Sequence, residues 1–166
     1  GAMFSLGIHI FISMYSDRNL EDLDRSVRRH CLRLKNDFQK GQLFPLVSVF
    51  WQTALNLIGK ADGSPTILTG DVAVERECIE LIRQSNNEPL MASFYLMKLD
   101  LALTFDATVD SATVVLEYCR LATSGKRFML TTRLAGFSSA LVHSDLFRSN
   151  NGSRRRHMGA FRKHLN

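Results

Sequence analysis

Residues 88–120 read EPLMASFYLMKLDLALTFDATVDSATVVLEYCR, two apolar segments separated by a short polar turn, and their spacing decides the fold class. Leu90, Phe94, Met97 and Leu101 recur at steps of four, three and four, which puts them on one face of a helix. Val109, Ala112, Leu116 and Cys119 repeat the pattern beyond the turn. Two such faces must pack on each other and on neighbours, as in one unit of a stacked-helix scaffold. Because no comparable stretch gathers nucleophile, base and orienting group, the sequence favours a structural or interaction role over chemistry.

Working outward, the same period recurs along the chain. Residues 3–15 are apolar nearly all round, which predicts a helix enclosed by others. Leu20, Leu23, Val27, Cys31, Leu34 and Phe38 predict an amphipathic helix over 20–39, with charged residues on its opposite side. Asn19 followed by Asp22 resembles a capping box, and Gly41 supplies the stop. A third helix is predicted over 43–58, with Pro45 in its first turn, Gly59 near its end, and Leu46, Phe50, Ala54 and Leu57 as its inner face. GKADGSPTILTG, residues 59–70, is the longest loop signal. Asp71 is read as the cap of a fourth helix reaching Arg83, with Ser85-Asn86-Asn87 ending it and Glu88-Pro89 opening the fifth, which runs to Thr104. Asp110 caps a sixth helix, a seventh covers 127–147, and Asn150-Asn151-Gly152-Ser153 leads to a basic end able to form a short eighth. The fold class expected is all-α, with antiparallel helix pairs stacked as an α-solenoid of seven to eight helices.

The formal charge of +5 divides unevenly along the 166 residues. From Arg148 onward there are six basic residues, Arg148, Arg154, Arg155, Arg156, Arg162 and Lys163, and no acidic ones, which leaves 15 basic against all 16 acidic residues before it. The high pI of about 9.4 therefore describes a tail and not the body. The 45% hydrophobic content and 11 Phe are enough for a sizeable core. Cys31, Cys78 and Cys119 are odd in number, far apart and set in apolar patterns, so they read as small core hydrophobes in a reducing compartment. Gly1-Ala2-Met3 looks like an expression scar, and residues 4–15 are too few and too uncharged at their start for a signal peptide or membrane anchor. A soluble cytoplasmic protein is expected, with 4–147 as the helical domain and 148–166 as a basic linker or short helix.

FWQTALNLIG at 50–59, followed after the loop by SFYLMKL at 93–99, resembles the tetratricopeptide-like helical region of large multi-sensor signal-transduction kinases. The resemblance extends from Gly7 to Phe137 and takes in the Asn19–Leu23 turn. Where the family's turn carries Gly-Asp-Tyr before an alanine, this chain has Ala107-Thr108-Val109 with Ala112 at the alanine position, so the repeat is degenerate. The resemblance implies a module within a larger regulatory protein. In such proteins the kinase, ATPase and sensor residues lie in other domains.

The candidate chemical motifs fail on spacing. Gly59-Lys60 has Ala54 where a phosphate-binding loop needs its first glycine, and Ala61 where it needs Ser or Thr. Asp62-Gly63 lacks the evenly spaced ligands of a calcium loop. His9, His30, His143, His157 and His164 show no metal spacing, and Ser138, Ser139, His143 and Asp145 on one helix cannot make a triad's chain of contacts. Asn151-Gly152-Ser153 fits a glycosylation pattern that has no secretion signal behind it. No catalytic, metal or cofactor site is expected, and the chain is read as a non-catalytic scaffold for protein partners or flanking domains. Trp51 and Tyr95 are its candidate protein-interaction residues, with core packing the alternative use of each. The alternative function is nucleic-acid binding through a basic patch of Arg154, Arg155, Arg156, Arg162 and Lys163.

Overall fold

PLVSVFWQTALN, residues 45–56, is a run of twelve residues that carry no charge, and the structure encloses all of them. The computed structural model describes residues 2–33, 44–105 and 140, and there the chain is helical, with no strand. Five helices follow in order: α1 (Ala2–Met14), α2 (Leu20–Arg33), α3 (Phe44–Leu57), α4 (Glu75–Gln84) and α5 (Glu88–Thr104). The chain divides into two compact units, Gly1–Asn87 and Glu88–Asn166. The sixth, seventh and eighth helices expected from the sequence, apart from Ala140 of the seventh, lie outside the described residues, as do Cys119 and the extension of the second helix over 34–39.

In the first unit α3 is the central element, touching α1, α2 and α4, while α1 and α2 also touch each other. Every residue from 45 to 56 is buried, so the enclosure goes beyond the expected inner face at Leu46, Phe50 and Ala54, while Leu57, the fourth residue expected there, is only half-buried. Phe11 of α1 meets Phe50 with ring centroids 5.2 Å apart. Gly7 of α1 faces the side chains of Leu46 and Val47, where a methyl group would stand in ordinary contact, 3.4 Å from Leu46 Cδ2. Each fully buried Leu, Val or Phe in this contact contributes about 1.5–3 kcal/mol. Helix α1 itself is enclosed on one side only. Leu6, Ile10 and Phe11 are buried, but Phe4, Ile12 and Tyr15 remain 40–53% exposed, which corrects the expectation of a helix covered all round.

The helix ends follow local chemistry. Asn19 caps α2, its Oδ1 accepting the Glu21 amide at 2.8 Å, while Asp22 turns to Arg25 and does not close a capping box. At the end of α3, Gly59 has φ +78°, and the amides of Gly59 and Lys60 reach the carbonyls of Asn56 and Leu55 at 3.0 and 2.9 Å. This is a Schellman closure, which an L side chain at Gly59 would strain. Asp71 does not cap the fourth helix. That helix starts four residues later, where Thr69 Oγ1 accepts the Glu75 amide at 3.2 Å and Glu75 Oε2 accepts the Leu68 amide at 2.7 Å. The Asp71 carboxylate is turned instead to Arg28. Ser85 and Asn86 close α4, Asn86 taking φ +48°.

In the second unit α5 occupies the expected span. Leu90, Phe94, Met97 and Leu101 are buried as predicted, and so are Leu96, Leu99 and Ala102 on other sides of the helix. The pattern is broader than one stripe because apolar residues fall in every direction around the axis. Among the described residues no helix is long and apolar enough to cross a membrane.

Candidate functional site

The segment between α3 and α4, residues 58–74, is held down like a strap, and polar side chains hold it. Asp24 of α2 is 4% exposed, and its carboxylate accepts from three directions. Trp51 Nε1 of α3 donates to Oδ1 at 2.9 Å, Arg28 Nε donates to the same oxygen at 2.9 Å, and Lys60 Nζ donates to Oδ2 at 3.1 Å. Arg28 also donates to Asp71 Oδ2 at 2.9 Å, and its guanidinium carbon lies 5.4 Å from the centre of the Trp51 ring. Asp24 and Arg28, one turn apart on α2, thus grip the two ends of the strap at Lys60 and Asp71. Burial works against the Asp24 charge; the hydrogen bonds from Trp51 and Lys60 and the charges of Arg28 and Lys60 outweigh it, so the carboxyl lies below its ordinary pKa.

The middle of the strap is held by α3. Asn56 Nδ2 donates to the carbonyls of Pro65 and Ile67 at 3.0 and 2.7 Å, and its Oδ1 accepts Gln52 Nε2 at 2.8 Å. Gln52 Oε1 in turn accepts the Val72 amide at 3.2 Å. Carbonyls and amides that burial would otherwise orphan are thereby satisfied, and Leu68 is driven fully into the core. Gly70 belongs to this contact, because a Cβ there would stand 2.6 Å from Gln52 Nε2.

Between the strap and α4 runs a groove of about 380 Å³, open toward solvent. Ile67, Thr69 and Val74 line it from the strap, and Glu75, Arg76, Ile79, Glu80 and Arg83 line it from α4. Ile67 and Val74 are 43% and 42% exposed, unusual for large aliphatic side chains on so tightly bonded a segment. The α4 positions share a face at steps of three and four. Arg76 Nε stands 3.5 Å from Glu80 Oε1.

Of the residues singled out from sequence, Trp51 is in the core, 5% exposed, with its indole N–H given to Asp24. Tyr95 is half-buried on α5 with its ring edge-on to Phe94, centroids 5.4 Å apart. The two belong to different units. The basic patch Arg154, Arg155, Arg156, Arg162 and Lys163 lies outside the described residues, as do Ser138, Ser139, His143, Asp145 and Asn151. Gly59-Lys60 closes a helix and anchors the strap. Cys31 and Cys78 are free thiols, and burial pushes both up, Cys31 to about 11, so neither is a thiolate at neutral pH.

Asp24 was hidden in the sequence among the charged residues of α2. The signal was its direction: at 3.6 residues per turn it falls beside Cys31, at the edge of the apolar arc. A carboxylate there, with a lone indole N–H on a neighbouring helix, marks a buried pair. Comparisons with protein-family models, curated proteins and solved structures give no match for this chain.

Proposed function

We propose that this chain is a non-catalytic helical scaffold for protein–protein contact, its helices stacked in pairs as a tetratricopeptide-like α-solenoid of seven to eight, serving a larger cytoplasmic signalling kinase as an interaction or relay module. The observation that carries it is how the first unit uses its polar side chains. Asp24, Arg28, Trp51, Gln52, Asn56 and Lys60 are spent on one another and on the strap backbone, which makes a fixed platform and leaves the groove beside α4 as its receptive surface. Groups engaged in this way hold one another and a backbone, with the spare donors of Arg28 and Lys60 left to solvent. The relay reading draws on the resemblance of FWQTALNLIG and SFYLMKL to the helical region of multi-sensor kinases. Displacement of one packed pair against the next is how stacked helices transmit a change between flanking domains.

The test is capture by the immobilised full chain from nuclease-treated lysate, compared with the Asn56→Leu chain, whose strap has lost its clamp. Proteins retained by the first and released from the second support the scaffold. Binding that disappears with nuclease treatment transfers the function to the basic segment after Arg148.

A further inference from the structure

Residues 70–73 are a short turn inside the strap, tied at its base and latched at its tip. At the base Thr69 Oγ1 accepts the Glu75 amide at 3.2 Å and Glu75 Oε2 accepts the Leu68 amide at 2.7 Å, so the chain entering the turn is bonded to the chain leaving it. Across the turn the Gly70 amide donates to the Ala73 carbonyl at 2.9 Å. Its inner side lies on Gln52, a wholly buried side chain whose Oε1 accepts the Val72 amide at 3.2 Å. Its tip is Asp71, held by Arg28 of α2 at 2.9 Å. A bonded base beneath a tip held by a neutral bond and an ion pair is an arrangement in which the tip lifts before the base gives way.

The ionic ties of the strap differ in what their rupture leaves behind. Lys60 is tied to Asp24, whose side chain is 5% exposed, and its departure would take one donor from a buried carboxylate. Arg28 and Asp71 are 41% and 63% exposed. When they part, Asp71 passes to water, while Arg28 keeps the Asp24 carboxylate at 2.9 Å and the Trp51 ring at 5.4 Å. No charge is orphaned, so the penalty that makes buried pairs hard to break is absent. What holds the tip is the modest attraction of an exposed pair, which salt screens. The clamps from Asn56 to the Pro65 and Ile67 carbonyls carry no net charge, and Leu68 is fully buried, so the middle of the strap is held by ties that salt does not weaken.

We propose that residues 70–73 are an ionically latched lid over Gln52. The Arg28–Asp71 pair sets how often the lid is open, and the strap on either side stays in place when it opens. Opening releases Gln52 Oε1, a buried acceptor of a main-chain amide, and uncovers Ala73, which is 7% exposed in the closed form. The latch joins α2 to the turn that leads into α4, so the state of the lid depends on where α2 holds Arg28.

The experiment is amide hydrogen exchange of the isotope-labelled full chain, read residue by residue as protection relative to the free peptide rate. It is run at ionic strengths of about 0.01 M and about 1 M, between which the screening length falls from roughly 30 Å to 3 Å. The Val72 amide should lose up to about fivefold of its protection at high salt, the range open to an exposed ion pair. The amides of Asp62, Leu68 and Glu75, bonded at the base and along the strap, should keep theirs. Asp71→Asn, at an exposed position, should show the lower Val72 protection at both salts. Asp71→Lys should reverse the sign, because repulsion from Arg28 holds the lid open at low salt and screening lets it close. Arg25→Gln breaks the exposed pair with Asp22 on α2 and should leave Val72 as in the parent. The lid is overturned by a Val72 amide indifferent to salt in the parent, by a salt effect that persists in Asp71→Asn or keeps its sign in Asp71→Lys, or by one that spreads equally to Asp62, Leu68 and Glu75.

Discussion

Along α3 every residue from 45 to 56 is buried, and Ser48, Gln52, Thr53 and Asn56 take polar side chains in with them; along α5 eight buried residues include a single polar one, Ser93. The Ser93 hydroxyl is satisfied within its own helix, donating to the Pro89 carbonyl at 3.0 Å. In α3 Thr53 is likewise satisfied within its helix, donating to the Val49 carbonyl at 2.8 Å, but three other polar side chains reach outward: Trp51 to α2, Asn56 and Gln52 to the strap. Both helices are enclosed, but only α3 dictates which atoms must lie beside it. An apolar surface specifies volume and tolerates repacking, whereas a buried donor specifies an acceptor at one distance and direction. The strap has its shape because α3 demands it.

The largest effect should come from removing that demand while keeping the branched shape of the side chain. Asn56→Leu leaves the Pro65 and Ile67 carbonyls without their donor and puts the greater bulk of two methyl groups at a fully buried position. Each orphaned group costs about 1–3 kcal/mol, so a loss of roughly 3–5 kcal/mol in urea denaturation is expected. A loss below about 1 kcal/mol would mean that water replaces the clamp and that α3 is no more specific than α5.

Gly70→Ala presses on the same contact from the other side. The new methyl would stand 2.6 Å from Gln52 Nε2, an atom already held by Asn56, so Gln52 must surrender either Asn56 or the Val72 amide. A cost of about 1–3 kcal/mol is expected. Combined with Gln52→Ala the penalty should shrink, a coupling that a double-mutant cycle reads directly.

Asp24→Asn sharpens the comparison through pH. The carboxyl has a folded pKa below its unfolded value, so the unfolded chain binds the proton more readily. Its contribution is therefore complete above the unfolded value of about 3.9 and is lost as pH falls through the lower folded value. The Asn variant should be weaker than the parent by about 1–2 kcal/mol at pH 7, since Arg28 and Lys60 are partly exposed and recover water. Urea midpoints of the two should converge as the solution is taken below pH 4. A gap that stays constant down to pH 2.5 would assign the effect to geometry and not to charge.

Much of this was legible in the residues. Helical period placed α1, α3 and α5 within a residue or two, and Asn19 and Gly59 marked real ends because capping chemistry is local. The start of α4 was misplaced because its cap comes from Thr69, six residues before Glu75, across a bend that no local pattern encodes. The exposed side of α1 was equally hidden, since an apolar helix carries no sign of which face lacks cover. For the site, the loop was clear and its clamps were not: Gln52 and Asn56 sat in the quoted FWQTALNLIG as members of an apolar helix. Two amide side chains at a spacing of four inside an otherwise apolar run are a signal of long-range hydrogen bonding, since burial leaves them no water.

The smallest effect is expected where α5 is altered in the same spirit as Asn56. Leu99 is fully buried, and Leu99→Met preserves volume while changing shape. No directional bond is lost, and the unbranched side chain can settle into neighbouring gaps, so the change should cost under about 1.5 kcal/mol. Leu99→Ala at the same site should cost about 2–5 kcal/mol, because the atoms removed leave a cavity that close-packed neighbours fill only in part. The pair separates volume from shape: a small Met penalty with a large Ala penalty places the worth of α5 in filled space. A Met penalty as large as that of Asn56→Leu would mean that α5 is fitted as narrowly as α3, and that apolar contact in this chain selects its neighbours as strictly as hydrogen bonding does.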